Sequence, residues 1–163
     1  MSGYDLKHIE DIKKLAGDKQ VALVEDGPIN YIVLNRPPFN TLNQEMLEEF
    51  DLCLDKVEAK LKDFHEEQVL ITVGQGEKCY SSGFDMKWWP QRESNNMLGV
   101  SLLDKILLRI LKFQLPTMAI LNGHCIAGGL FLSMTHERRI IKDGNWVLTA
   151  NEVPMGIIVP SGF

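Results

Sequence analysis

A chain of 163 residues, 45% hydrophobic and 24% charged, holds one domain with a real core and is too short for two ordinary ones. It can bury roughly 70% of the surface its unfolded form exposes, which excludes a disulfide-stapled mini-scaffold and a disordered tail. Its 17 basic and 22 acidic residues leave a net charge of −5 with no window dense in Lys and Arg, which excludes a nucleic-acid face.

Residues 1–19 read as a polar helical lead-in, with Leu6, Ile9, Ile12 and Leu15 at helical spacing, and residues 20–163 as the core domain. Val21-Ala22-Leu23-Val24 and Tyr31-Ile32-Val33-Leu34 flank an Asp26-Gly27-Pro28 break and predict a hairpin that Pro37-Pro38 ends. From Asn43 to Leu61, Leu47, Phe50, Leu54, Val57 and Leu61 recur every three or four residues, a helix with Thr41 or Asn43 as its N-cap. Val69–Val73 predicts a buried strand, Leu98–Phe113 a second helix stopped by Pro116, and Thr117–Leu121 the next strand. A Gly-Gly opens a helix over 128–136, and Arg139–Ile141 and Trp146–Leu148 read as strands around an Asp143-Gly144-Asn145 turn. Alternating strands and helices imply an α/β domain built from crossovers.

Cys53, Cys79 and Cys125 are odd in number, widely spaced and without a CxxC pair, so they suggest free thiols in a reducing setting rather than a disulfide framework or a zinc site. His8, His65, His124 and His136 form no HExxH or similar ligand spacing, and no metal is expected. No run of 18 apolar residues and no N-terminal signal are present, so the expectation is a soluble intracellular protein.

Three loops carry glycine at the ends of strands: Gly76–Met86, Asn122–Gly129 and Asn151–Pro160. Glycine lets backbone N–H groups approach a ligand closely, and two such loops side by side could hold an oxyanion. Gly74-x-Gly76 is no dinucleotide fingerprint, since no third glycine stands at the required offset.

Taken in order, four segments resemble the crotonase superfamily, the enoyl-CoA hydratase/isomerase fold: Leu34-Asn35-Arg36-Pro37-Pro38-Phe39-Asn40-Thr41-Leu42, Ser82-Gly83-Phe84-Asp85-Met86-Lys87, Pro116 to Gly129, and Glu152 to Pro160. The resemblance covers roughly residues 20–163 and implies a crotonase-like α/β core of repeated ββα units, ending before the family's C-terminal helices. It also implies an acyl-CoA thioester substrate, with coenzyme A present as part of the substrate and no separate cofactor. Reaction in this family passes through an enolate-like anion held by two backbone N–H donors, which fall here at Phe84 and Gly128. Ser82, Gly83, Asp85 and Met86 would shape the CoA-binding stretch, although Asp85 has a second reading as a helix cap.

Carboxylates choose the reaction. Family hydratases position water with two glutamates; shifting a double bond from C3 to C2 needs one base. The first glutamate's position is Phe131 here, and the second matches Glu152, so the resemblance is to a Δ3,Δ2-enoyl-CoA isomerase with Glu152 as the base. Alternatives are another acyl-CoA reaction of the family, hydration or hydrolysis among them, and a non-catalytic structural subunit of a larger assembly. The family further implies a trimer-type homo-oligomer or a hetero-complex, in mitochondria or peroxisomes, with the cytoplasm as the alternative. Read singly, His124 and His136 are structural, Glu137 is a surface residue, Trp88-Trp89 is either an acyl-pocket wall or core and rim, and the Leu102–Leu111 stripe is core or subunit interface.

Overall fold

The computed structural model describes residues 6–61, 67–91 and 93–152. In chain order its elements are α1 (Leu6–Lys14), β1 (Val21–Asp26), β2 (Ile29–Leu34), α2 (Gln44–Leu61), β3 (Val69–Gly74) and β4 (Cys79–Ser81). A short 3₁₀ turn (Trp89–Gln91) and α3 (Glu93–Leu111) come next, then β5 (Thr117–Leu121), β6 (His124–Ile126), α4 (Gly128–Met134), β7 (Arg138–Ile141) and β8 (Leu148–Thr149).

Two sheets organise these elements. The larger runs β1-β2-β3-β5-β7, with β1 and β2 an antiparallel hairpin and every later pair parallel. The smaller runs β4-β6-β8, all parallel. A simple repeat produces this division. In β3-β4-α3 and in β5-β6-α4, the first strand joins the large sheet, the second joins the small one, and the helix returns the chain to the next large-sheet position. The chain leaves the line of the first strand for that of the second at Gly74 and at Gly123. A Cβ on Gly74 would stand 2.6 Å from the Cys79 carbonyl oxygen, and one on Gly123 would stand 2.3 Å from that of Lys78. No side chain fits at either corner.

Alternation along the large-sheet strands divides the apolar residues between two cores, as successive side chains point to opposite faces. Ile32, Leu34, Leu70, Ala119 and Leu121 face α2 and α3, where Met46, Leu47, Phe50, Leu54, Val57, Leu103, Ile106 and Ile110 complete the main core. Tyr31, Val33, Ile71, Val73 and Ile120 face the other way and are covered by Ile9, Ile12 and Ala16 of α1 and its extension. Burial on both faces explains why these strands read as continuous apolar runs. At the outer end of the helical layer, Arg109 of α3 reaches Asp51 at 2.5 Å and Asp55 and Glu58 at 2.8 Å on α2.

Several sequence expectations shift. Asn43, not Thr41, caps α2, its Oδ1 accepting the Met46 N–H at 2.9 Å. Helix α3 starts at Glu93 and ends at Leu111, well short of Pro116, while α4 stops at Met134. The strands on either side of Asp143–Asn145 do not pair: β7 extends the large sheet and β8, Leu148–Thr149, joins the small one. Ile140 and Ile141 pair with Ile120 and Leu121, and Thr149 pairs with Ile126. Among the described residues no helix is long and apolar enough to cross a membrane.

Candidate functional site

The small sheet gathers the glycine-bearing loops. Because β4, β6 and β8 are parallel, their C-terminal ends point the same way, toward the edge where ligands of parallel sheets commonly sit. From β4 the chain enters Ser82-Gly83-Phe84-Asp85; from β6, Ala127-Gly128-Gly129; from β8, Ala150-Asn151-Glu152. Ser81 pairs with Cys125, and Ile126 pairs with Thr149, so the three exits are adjacent. Ala127 N–H donates to the Thr149 carbonyl at 2.8 Å, tying the second loop to the third.

The first two loops touch through glycine. Gly83 has φ 82 and lies where a Cβ would meet the Ala127 Cβ at 2.8 Å. A Cβ on Gly129 would meet the Ser81 carbonyl oxygen at 2.5 Å. Ala127 carries φ 51, a conformation that favours glycine, and is held there because its carbonyl accepts from Leu130 and Phe131 at 2.8 and 3.1 Å.

Phe84 and Gly128 stand at the exits of the first two loops. Leu42 N–H donates to Gly83 O and accepts from Asp85 N–H through its carbonyl, both at 2.8 Å. This parallel bridge around Phe84 turns the Phe84 N–H away from Leu42. Gly128 opens α4, so its N–H has no intrahelical acceptor, and no side chain caps that helix. Leu42 and Leu103 close the floor below Gly128, where a Cβ would meet their methyl groups at 3.3 and 3.1 Å.

Glu152 is half-buried, and its Oε2 is buried with no hydrogen-bond partner among the described residues. An unpaired carboxylate oxygen out of contact with water is costly in a folded chain and calls for a reason. The rest of the Glu152–Pro160 motif lies outside the described residues. Phe131 sits in α4, partly buried against the main core.

Asp85 is 8% exposed and fully engaged. Its Oδ1 accepts the Lys87 N–H at 2.8 Å, and its Oδ2 accepts from Arg36 Nη2 at 2.5 Å. Burial alone would raise its pKa, but the Lys87 amide and the Arg36 guanidinium together hold it below the usual carboxylate value. The capping reading of Asp85 thus has a direct geometric counterpart. Met86 is exposed, Ser82 is half-buried, and the Ser82 N–H donates to the Phe39 carbonyl at 2.9 Å.

Two residues that sequence reasoning took only as letters of a motif organise this region. Asn40 is fully buried with φ 48; its Nδ2 donates to the Cys79 and Gln75 carbonyls at 2.8 and 3.0 Å, and its Oδ1 accepts the Arg36 N–H at 2.9 Å. Arg36 then reaches Thr41 and Asp85. Asn122 has a similar role in the next repeat, accepting from Gly74 N–H at 3.1 Å and donating to the Gly76 carbonyl at 2.6 Å. The Asn122-Gly123 pair is a signal that could have marked Asn122, whereas Asn40, between Phe39 and Thr41, carries none.

The histidines lie away from this edge in role. His136 is 3% exposed and its Nδ1 lies 2.9 Å from the Leu132 carbonyl, so Nδ1 carries the proton and Nε2 accepts from Thr72, whose hydroxyl lies 2.7 Å from Tyr80 Oη. Burial holds His136 neutral, with its pKa lowered to about 4. His124 Nδ1 accepts the Val147 N–H at 2.9 Å, and its ring meets Trp146 edge-on. Among the described residues no group of three His, Cys, Asp or Glu could hold a metal ion.

The family Enoyl-CoA hydratase/isomerase matches residues 25–163. Enoyl-CoA delta isomerase 3 of Arabidopsis thaliana is 34% identical over 99 residues, covering 58% of this chain and 41% of that protein. The mitochondrial enoyl-CoA delta isomerase 1 of Homo sapiens is 28% identical over 148 residues, covering 88% and 48%. A short-chain-enoyl-CoA hydratase of Clostridium acetobutylicum is 29% identical over 141 residues, covering 84% and 51%. Among solved structures, human mitochondrial delta3-delta2-enoyl-CoA isomerase superposes with a TM-score of 0.77 at 25% identity, over 87% of this chain and 55% of that one. The chain spans about half the length of the curated relatives it matches.

Proposed function

The chain belongs to the enoyl-CoA hydratase/isomerase family, and within it we propose the isomerase reaction, moving a 3-enoyl double bond of an acyl-CoA thioester to the 2-position. The observation that carries this reading is Glu152 at the loop cluster: it keeps a buried oxygen without a partner among the described residues, whereas Asp85 is engaged by Arg36 and Lys87 and Phe131 stands where family hydratases carry a second glutamate. Positioning a water for addition would call for that second carboxylate; carrying one proton between two carbons does not.

In this reading the thioester oxygen lies between the Phe84 and Gly128 N–H groups. Glu152 removes a proton from C2, and the electron pair left on C2 delocalises onto the thioester oxygen and across the C3–C4 double bond. Both amides hold the resulting negative charge; losing one such donor costs about 2.7–4 kcal/mol in transition-state stabilisation. Glu152 returns the proton at C4, leaving the double bond between C2 and C3. No atom is gained or lost, and the carboxylate ends as it began. Gly83 and Ala127 act only by bringing the two amides together, and the coenzyme A portion would run along the Ser82–Met86 stretch.

The test is Glu152→Gln assayed with a 3-enoyl-CoA. Turnover should fall by roughly 10²–10⁴, the range for loss of a general acid–base group, with acyl-CoA binding retained. Undiminished turnover rejects Glu152 as the base. Hydration of a 2-enoyl-CoA at a rate matching the isomerisation would favour the hydratase reading instead.

A further inference from the structure

Glycine in the middle of a helix weakens it by roughly 1 kcal/mol relative to alanine, yet α3 carries Gly99 in its interior, without the positive φ that would require a glycine. What surrounds it is aromatic. A Cβ at Gly99 would stand 3.0 Å from Trp89 Cζ3, 3.1 Å from Phe84 Cε1 and 3.1 Å from Trp88 Cη2. Three rings therefore converge on bare helix backbone at this one position.

We propose that Gly99 is a positioning residue for the Phe84 amide: the notch it leaves in α3 seats the Phe84 ring and so fixes the direction of the Phe84 N–H. The inference rests on the isomerase reading, in which that N–H is one of the two donors to the thioester oxygen. The geometry leaves the Phe84 residue little freedom. Its ring stacks on Trp89 with centroids 4.1 Å apart and planes tilted by 34°, and its Cε1 edge meets the helix at Gly99. Behind it, Trp88 and Trp89 N–H groups donate to the Asp85 carbonyl at 2.9 and 2.8 Å, and Asn95 on α3 donates to the Trp88 carbonyl at 2.9 Å. The backbone on either side of Phe84 is pinned to Leu42. With both flanks bonded to Leu42 and the ring held, the peptide between Gly83 and Phe84 turns only if those bonds and the stack give way together. A methyl group at position 99 would push the rings by a few tenths of an ångström and carry the amide with them.

The experiment uses a saturated octanoyl-CoA labelled with carbon-13 at the thioester carbonyl, which binds without reacting, and reads the bound carbonyl stretch by isotope-edited infrared. In the unaltered chain the band should move to lower frequency than in free octanoyl-CoA, as two N–H donors polarise the carbonyl. Gly99→Ala should shrink that displacement and lower kcat for a 3-enoyl-CoA about tenfold, on the scale expected of a sub-ångström misplacement, with octanoyl-CoA affinity unchanged. Trp89→Leu alone, which removes the ring stacked on Phe84, should shrink the displacement in the same way. A carbonyl band and kcat in Gly99→Ala equal to those of the unaltered chain would overturn the proposal, as would an undiminished displacement in Trp89→Leu. If Gly99→Ala loses its near-ultraviolet aromatic signal, Phe84→Ala asks the same question from the other side. It keeps the amide and removes the ring, and an unchanged carbonyl displacement there overturns the proposal too. A carbonyl that is unshifted in the unaltered chain rejects the isomerase reading itself, a different result from any of these.

Discussion

Gly83 and Gly128 lie so close that a Cβ on Gly83 would stand 3.0 Å from the Gly128 amide nitrogen. That contact joins the loop leaving β4 to the loop leaving β6. Gly83→Ala would add a side chain at φ 82, costing roughly 1–2 kcal/mol for the left-handed backbone. Overpacking against Ala127 adds about 1–3 kcal/mol more. The expected outcome is a clear fall in the denaturant midpoint together with loss of turnover. A variant as stable as the parent would show that the two loops can separate freely.

The Arg36–Asp85 pair should report in acid. Asp85 titrates below the ordinary carboxylate value, so it favours the folded state above that value, and its contribution disappears as pH falls through the lowered folded pKa. Arg36→Met should cost about 1.5–3 kcal/mol at neutral pH, the scale of a hydrogen bond to a charged group, and much less once Asp85 is protonated. Urea unfolding of parent and variant across the acid range below pH 4 checks this: the two curves should converge as pH falls.

His136 acts at higher pH and with the opposite chemistry. Its folded pKa of about 4 lies below the ordinary imidazole value, so between those values the unfolded chain binds more protons than the folded one. Stability should therefore fall as pH drops through that window, by roughly 3 kcal/mol in all if no other group intervenes. His136→Gln, which can still bond Thr72, should flatten the profile between pH 6.5 and 4. An unchanged slope would mean that His136 is not the group titrating.

All three cysteines are buried, and burial raises each thiol pKa, to about 11 for Cys53 and for Cys125. An aromatic disulfide reagent at pH 7.5 should therefore release almost no thiolate product from the native chain and three equivalents in denaturant, the number of cysteines present. Rapid native labelling of Cys79 or Cys125 would contradict the packing around β4 and β6, and that of Cys53 the packing of α2.

Long elements were legible in the sequence because period carries over many residues. The spacing of Leu47, Phe50, Leu54 and Val57 marked α2, and the apolar run of β3 marked a buried strand. The short strands β4 and β6 were not: Cys79–Ser81 and His124–Ile126 each span three residues, too few to show alternation, and their pairing partners lie in other repeats. The three site loops were therefore visible as glycine-bearing segments, while their adjacency depended on a sheet that the sequence did not announce. The Arg36–Asp85 pair was likewise invisible, since its partners are separated by 49 positions and nothing local demands that they meet.

The alternation of strands between two sheets gives the chain the character of a short spiral, in which each turn is buttressed by the turns before and after it. The Phe84 and Gly128 amides leave from inner turns, whose strands β3 and β5 are buried. Glu152 leaves from the turn of β7 and β8, whose residues are largely exposed. Opening by fraying would start there and move inward. The spiral thus sorts the loops by depth: the two amides leave from its buried turns, and Glu152 is carried by a more exposed turn, which in the proposed isomerase reaction would let one carboxylate serve two carbons.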